Sequence, residues 1–191
     1  VEEMLVDLLT KLKEECSSEL ELLGVEHKIP EDIPRITMGE AKALLAEKGK
    51  KYTEEDDLDP EGEKLLGEIV KEKYGSEFVF LTNFPFAVRP FYCMKSEADS
   101  NGTKSFDLLF NGVEIATGTQ REHQLDVLEK QAKGKGLDLD KMPEYKDLFK
   151  YGCPPHGGVG FGLDRITQRL LKLDNIREAV LLPRDPERMS P

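Results

Sequence analysis

Ser105-Phe106-Asp107-Leu108-Leu109-Phe110-Asn111-Gly112-Val113-Glu114-Ile115-Ala116 is the stretch that decides the fold. An Asn-Gly pair sits between two runs of strand-forming residues, and both positions of a type I′ turn need positive φ, which Asn and Gly adopt at least cost. The spacing predicts a two-residue hairpin in which Phe110 faces Val113, Leu109 faces Glu114, Leu108 faces Ile115 and Asp107 faces Ala116. Phe106, Leu108, Phe110, Val113 and Ile115 then share one apolar face, and the carboxylates of Asp107 and Glu114 project from the other.

Upstream, apolar residues recur at three- and four-residue intervals from Val1 to Leu23 and predict one long amphipathic helix ended by Gly24. The chain opens inside that pattern without a capping residue, as a chain continued from upstream does. Thr37-Met38-Gly39-Glu40 has capping-box spacing before a short helix. Asp59-Pro60 supplies an N-cap and first-turn proline for a helix reaching Tyr74, with Gly75 as its stop. Phe78–Leu81 reads as a buried strand, Phe86–Met94 as another, and Ala179–Leu182 as a last one. Gln120–Lys133, Pro143–Tyr151 and Ile166–Leu173 suit helices. Strands grouped as hairpins rather than alternating with helices predict an α+β fold, an antiparallel sheet flanked by helices.

The 191 residues carry 27 basic and 38 acidic side chains, a net charge of −11. That balance opposes any nucleic-acid contact made through a broad basic surface, so such a partner needs a local site or another domain. No apolar run approaches the ~18 residues of a membrane-spanning helix. Cys16, Cys93 and Cys153 show neither CxxC spacing nor an even count, which argues against a disulfide framework or structural zinc and fits a reducing cytoplasm. Seven of the ten residues from Glu54 to Glu63 are acidic, a run that suits a solvated loop and helix start.

The two hairpin carboxylates are hard oxygen donors of the kind that hold Mg²⁺ jointly with phosphate, although the same spacing also suits a face turned to solvent. Thr117 adds a hydroxyl. Arg121, read as one helical turn further on, adds a planar fork matched to a carboxylate. The four glycines between Gly157 and Gly162 fit neither a P-loop nor a dinucleotide fingerprint, yet they permit close backbone approach before a helix whose N-terminus favours anions. Arg165 at that helix start can stack on a purine or pair with an acid. His156, within the glycine-rich stretch, is the histidine best placed to take part.

Gly158-Val159-Gly160-Phe161-Gly162-Leu163-Asp164-Arg165 resembles motif 3 of the class II aminoacyl-tRNA synthetases. Phe80-Leu81-Thr82-Asn83-Phe84-Pro85, Val88-Arg89-Pro90-Phe91-Tyr92, Gly118-Thr119-Gln120-Arg121-Glu122-His123 and Gly152-Cys153-Pro154-Pro155-His156-Gly157-Gly158 look like the aspartyl-tRNA synthetases of the archaeal and eukaryotic type. The resemblance spans nearly the whole chain. It implies part of a class II catalytic domain over residues 1–191, following motif 2, with motifs 1 and 2 and the anticodon-binding barrel absent. It further implies ATP-dependent activation of aspartate and transfer to tRNA in a complete, homodimeric, cytoplasmic enzyme that is not membrane-bound, the isolated chain being inactive. Residue by residue, it implies that Asp107, Glu114 and Thr117 hold Mg²⁺. Glu114, Gly162, Leu163, Asp164 and Arg165 then bind ATP, and Thr117, Arg121 and His156 face aspartate, with Arg121 and Arg165 as the catalytic arginines. Thr117 stands where Ser is common in that family, and Thr119 where Gly or Ala is common. Two other functions fit the same motifs: a non-catalytic relative that binds a ligand or partner, and a synthetase-related enzyme that makes asparagine.

Overall fold

The computed structural model describes residues 1–99 and 101–190. Five strands, β1 (Arg35–Thr37), β2 (Phe78–Thr82), β3 (Ser105–Phe110), β4 (Val113–Arg121) and β5 (His156–Phe161), form one sheet in sequence order. The pairings from β2 to β5 are antiparallel, in keeping with the predicted antiparallel sheet although β5 is not among the predicted strands, whereas β1 lies parallel to β2. The β3–β4 turn is the predicted one, with Asn111 at φ 46° and Gly112 at φ 72°.

The register departs from expectation one residue past Glu114. Phe110 faces Val113 and Leu109 faces Glu114, but Leu108 faces Ala116 and Asp107 faces Thr117, because Ile115 is an extra residue in a bulge. Ile115 and Ala116 are both buried in the cluster containing Phe78, Phe80, Leu108 and Phe110. The Ile115 carbonyl accepts a hydrogen bond from the Gly162 N–H at 2.9 Å. The bulge therefore turns two consecutive apolar side chains into the core and sets a hydroxyl, instead of a methyl, opposite Asp107.

Helix α1 (Glu2–Glu15) and helix α7 (Leu163–Leu170) pack on this first face through Leu5, Leu9, Ile166 and Leu170. The face bearing Asp107 is apolar as well at its β1–β3 side. Val79, Leu81 and Leu109 are buried there beneath α3 (Met38–Glu47) and α4 (Pro60–Tyr74). Both helices start as predicted: Thr37 and Glu40 complete a capping box, and the Asp59 carboxylate accepts from Gly62 N–H at 2.7 Å. Gly75, at φ 65°, stops α4. A third cluster joins Phe91 and Tyr92 to Leu128 and Ala132 of α5 (Leu125–Gly134), Leu139, and Phe149 of α6 (Pro143–Lys150).

Several expectations are corrected. The opening helix breaks at Cys16 (φ −120°, ψ 27°) into α1 and a short α2 (Ser17–Leu22), which buries no residue and so gains nothing from continuing along the core. Phe86–Met94 is not a strand: Pro85 and Pro90 lack N–H groups, and the segment forms one 3₁₀ turn at Phe86–Val88. Gln120 and Arg121 extend β4 rather than opening α5. The glycine-rich stretch is strand β5, paired along its length with β4. The last helix runs one turn earlier than predicted, and Ala179–Leu182 pairs with no strand among the described residues, leaving Leu181 95% exposed.

Candidate active site

The β-sheet register collects most of the predicted residues on one face. Directly paired residues share a face and side chains alternate along each strand, so Asp107 of β3, Glu114, Thr117 and Arg121 of β4, and His156, Gly158 and Gly160 of β5 all project to the side that α3 and α4 cover only in part. Arg121 lies on this face because β4 continues through it; it is four strand residues from Thr117, not one helical turn. A Cβ built on Gly160 meets nothing within 4 Å, so the floor opposite Thr117 is open.

Asp107 is 7% exposed and ion-paired at 2.5 Å with Arg89, whose other nitrogen donates to the Thr117 hydroxyl at 3.3 Å. The Arg89 guanidinium also lies 3.6 Å over the Phe84 ring, which fixes its plane. This role is not visible in the sequence. Its signal was Arg89-Pro90 after an apolar run, and nothing in the chain order places it against Asp107. One Asp107 oxygen, Oδ1, is buried without a hydrogen-bond partner.

Glu114 receives Arg165 of α7, whose nitrogen donates to the Glu114 carbonyl at 3.0 Å and lies 3.4 Å from its carboxylate. Burial, followed by the Asp107 charge, pushes the Glu114 carboxyl above the usual range. A third acid stands beside them. Glu63, in the first turn of α4 and half-buried, is pushed up to about 7, first by burial and then by Glu114 and Asp107. It belongs to the acidic run read as solvated, and charge runs carry no local mark of the one member that faces inward.

The remaining predicted residues are placed less directly. The Gly162 N–H is spent on Ile115, so it is not an anion donor, and Leu163 and Asp164 are exposed beside Arg165. His156 Nδ1 donates to the Pro154 carbonyl at 3.0 Å, which fixes Nδ1 as the protonated nitrogen, and its ring tilts against Phe149. Arg121, exposed, has its guanidinium 5.6 Å over the Tyr92 ring and makes no side-chain hydrogen bond or ion pair among the described residues.

Among the described residues no three His, Cys, Asp or Glu side chains form a ready metal cluster. The donors that do converge are two carboxylates and a hydroxyl, one carboxylate oxygen being orphaned. That set suits a hard cation with the rest of its shell supplied from elsewhere, as Mg²⁺ takes it from phosphates.

The family model for class II tRNA synthetases (D, K and N) matches residues 1–186. An aspartate-tRNA(Asp/Asn) ligase of Aeropyrum pernix is 47% identical over the whole chain, which spans 44% of that protein's length. The aspartyl-tRNA synthetase of Entamoeba histolytica superposes with a TM-score of 0.95 at 36% identity, over the whole chain and 40% of its own. The asparaginyl-tRNA synthetase of Pyrococcus horikoshii does so with a TM-score of 0.89 at 30% identity, again over the whole chain and 46% of its own. The chain thus spans less than half of each of these relatives. With the family model covering all but its last few residues, the chain belongs to the class II tRNA synthetases of the D, K and N type.

Proposed function

We propose that residues 1–191 are part of a class II catalytic domain that, in the complete protein, activates aspartate with ATP and transfers it to tRNA. The observation that supports this most directly is the arrangement of one sheet face: at one end an arginine fork with no hydrogen-bond or ion-pair partner among the described residues, and at the other two carboxylates with a hydroxyl. Aspartate has two carboxylates. Arg121 binds one through its two parallel N–H donors, and the other is left free as the nucleophile.

An oxygen of that free carboxylate forms a bond to the α-phosphorus of ATP. The bond from that phosphorus to the bridging oxygen breaks, and pyrophosphate leaves with the electron pair. The 3′-terminal hydroxyl of tRNA then attacks the acyl carbon, giving up its proton as AMP departs. Asp107, Glu114 and Thr117 are the residues that would hold Mg²⁺, which supplies neutralisation of phosphate charge when bound with ATP. Arg165, at the start of α7 beside Glu114 and next to Gly162, Leu163 and Asp164, is set to leave Glu114 and stack on the purine. Thr117 and His156 border the aspartate end. In the same reading the complete protein is a cytoplasmic homodimer.

The test is aspartate-dependent exchange of pyrophosphate into ATP, measured in a full-length protein carrying this sequence. Arg121→Ala is expected to raise the KM for aspartate by roughly 10- to 100-fold, the worth of a charge-assisted pair, while the KM for ATP stays within about twofold. Equal losses for both substrates would refute the assignment of Arg121 to aspartate.

A further inference from the structure

Arg121 sits on the middle of three paired backbones. On one side the segment Tyr92–Met94 is stitched to the end of β4: Glu122 N–H donates to the Tyr92 carbonyl at 2.8 Å, Met94 N–H donates to the Gln120 carbonyl at 3.0 Å, and Cys93 bridges Arg121 itself. On the other side lies β5, with His156 directly opposite Arg121 and Gly158 two residues along. The Tyr92 ring packs edge-on against Phe91 at 5.6 Å, and Phe91 against Tyr145 at 5.9 Å, so the first wall is part of an aromatic cluster.

The second wall is bare backbone. A Cβ built on Gly158 falls 2.7 Å from an Arg121 terminal nitrogen, 3.1 Å from Cζ and 3.4 Å from Nε, and these are its three nearest atoms. The guanidinium therefore lies across the space where any other residue at 158 would carry its side chain. Glycine is not needed here for a left-handed backbone, since the positive-φ glycines do not include Gly158. Its missing side chain is what lets the fork lie against the strand.

We infer that Gly158 is a positioning residue for Arg121. With the Tyr92 ring 5.6 Å from the guanidinium carbon, the bare backbone at 158 is the close contact that sets how Arg121 presents its two donors to a substrate carboxylate. The inference rests on the reading of Arg121 given under the proposed function. Because the atoms that meet the added Cβ all belong to the flexible end of one exposed side chain, a methyl at 158 displaces the fork without disturbing the sheet. Two parallel hydrogen bonds tolerate little displacement, so the cost falls on the bound carboxylate rather than on the fold.

The experiment compares Gly158→Ala, Arg121→Ala and the double variant in the full-length protein, by pyrophosphate exchange and by thermal melting. Gly158→Ala is expected to raise the KM for aspartate roughly tenfold, leave the KM for ATP within about twofold, and melt with the parent. Added to Arg121→Ala it should cost nothing more, since no fork remains to displace. An unchanged KM for aspartate in Gly158→Ala, alongside a raised one in Arg121→Ala, overturns the role of Gly158 alone. A Gly158→Ala protein that melts early, or loses both substrates equally, shows the glycine to be structural and overturns it too. If Arg121→Ala itself leaves aspartate unaffected, the underlying reading of Arg121 fails.

Discussion

Glu63 shows how one side chain can be poised by its neighbours. The N-terminus of α4 favours an anion, and Arg165 acts in the same direction, yet burial and the charges of Glu114 and Asp107 prevail and hold the carboxyl at about 7 against an ordinary 4.5. A carboxyl raised on folding keeps its proton in the native state while the unfolded chain has already lost it. Stability on this account is full below about pH 4.5 and declines as pH rises towards 7. Glu63→Gln removes the penalty without changing the shape. Discounted for partial solvent access, the variant should be more stable than the parent by about 1–2 kcal/mol at pH 8 and by almost nothing at pH 4. Urea denaturation at the two pH values measures both. An advantage of Gln that is the same at both values would mean that packing, and not ionisation, separates the two side chains.

Helix α4 brings Glu63 to the sheet because two glycines let it approach the hairpin. A Cβ on Gly67 would lie 2.5 Å from the Gly112 amide nitrogen, and one on Gly112 would lie 2.6 Å from the Lys64 Cα. Both obstacles are backbone, so nothing can swing aside. Gly67→Ala should destabilise by about 1–3 kcal/mol as an overpacked contact, seen as a lowered urea midpoint with unchanged slope. This contact marks the limit of what the sequence could reveal. The Asn111-Gly112 turn was legible because its chemistry is local, and so were the Thr37 and Asp59 caps. The bulge at Ile115 was not, since its cause includes a hydrogen bond from Gly162, distant in the chain. Strand β5 was missed because glycines carry no side-chain period to read. Asp107, Glu114, Thr117 and Arg121 were named as a set from residue type and resemblance, and the sheet register gathers them on one face. Arg89 and Glu63 escaped because each is defined by a partner on another element.

At the scale of the whole chain, the charges on this sheet face limit what these residues can do by themselves. Asp107, Glu114 and Glu63 gather there, and two guanidiniums stand beside them: Arg89 is paired with Asp107, and Arg165 is paired with Glu114 and assigned to the purine of ATP. The third, Arg121, lies at the far end and is assigned to aspartate. None of these three guanidiniums is left for the α-phosphate, whose oxygens gain charge as the nucleophile enters and pyrophosphate departs. Phosphoryl-centred displacement depends on positive groups placed in advance at that charge. The net charge of −11 adds a repulsive background for a polyanionic nucleotide. A polypeptide of these 191 residues should therefore show no aspartate-dependent pyrophosphate exchange above background, even with saturating ATP and Mg²⁺, while a full-length protein carrying the same residues exchanges readily. Robust exchange by the short polypeptide would mean that Arg89 or Arg165 leaves its carboxylate to serve the α-phosphate. Arg89→Lys and Arg165→Lys, which keep the charge but lose the planar fork, would then identify which of the two moves.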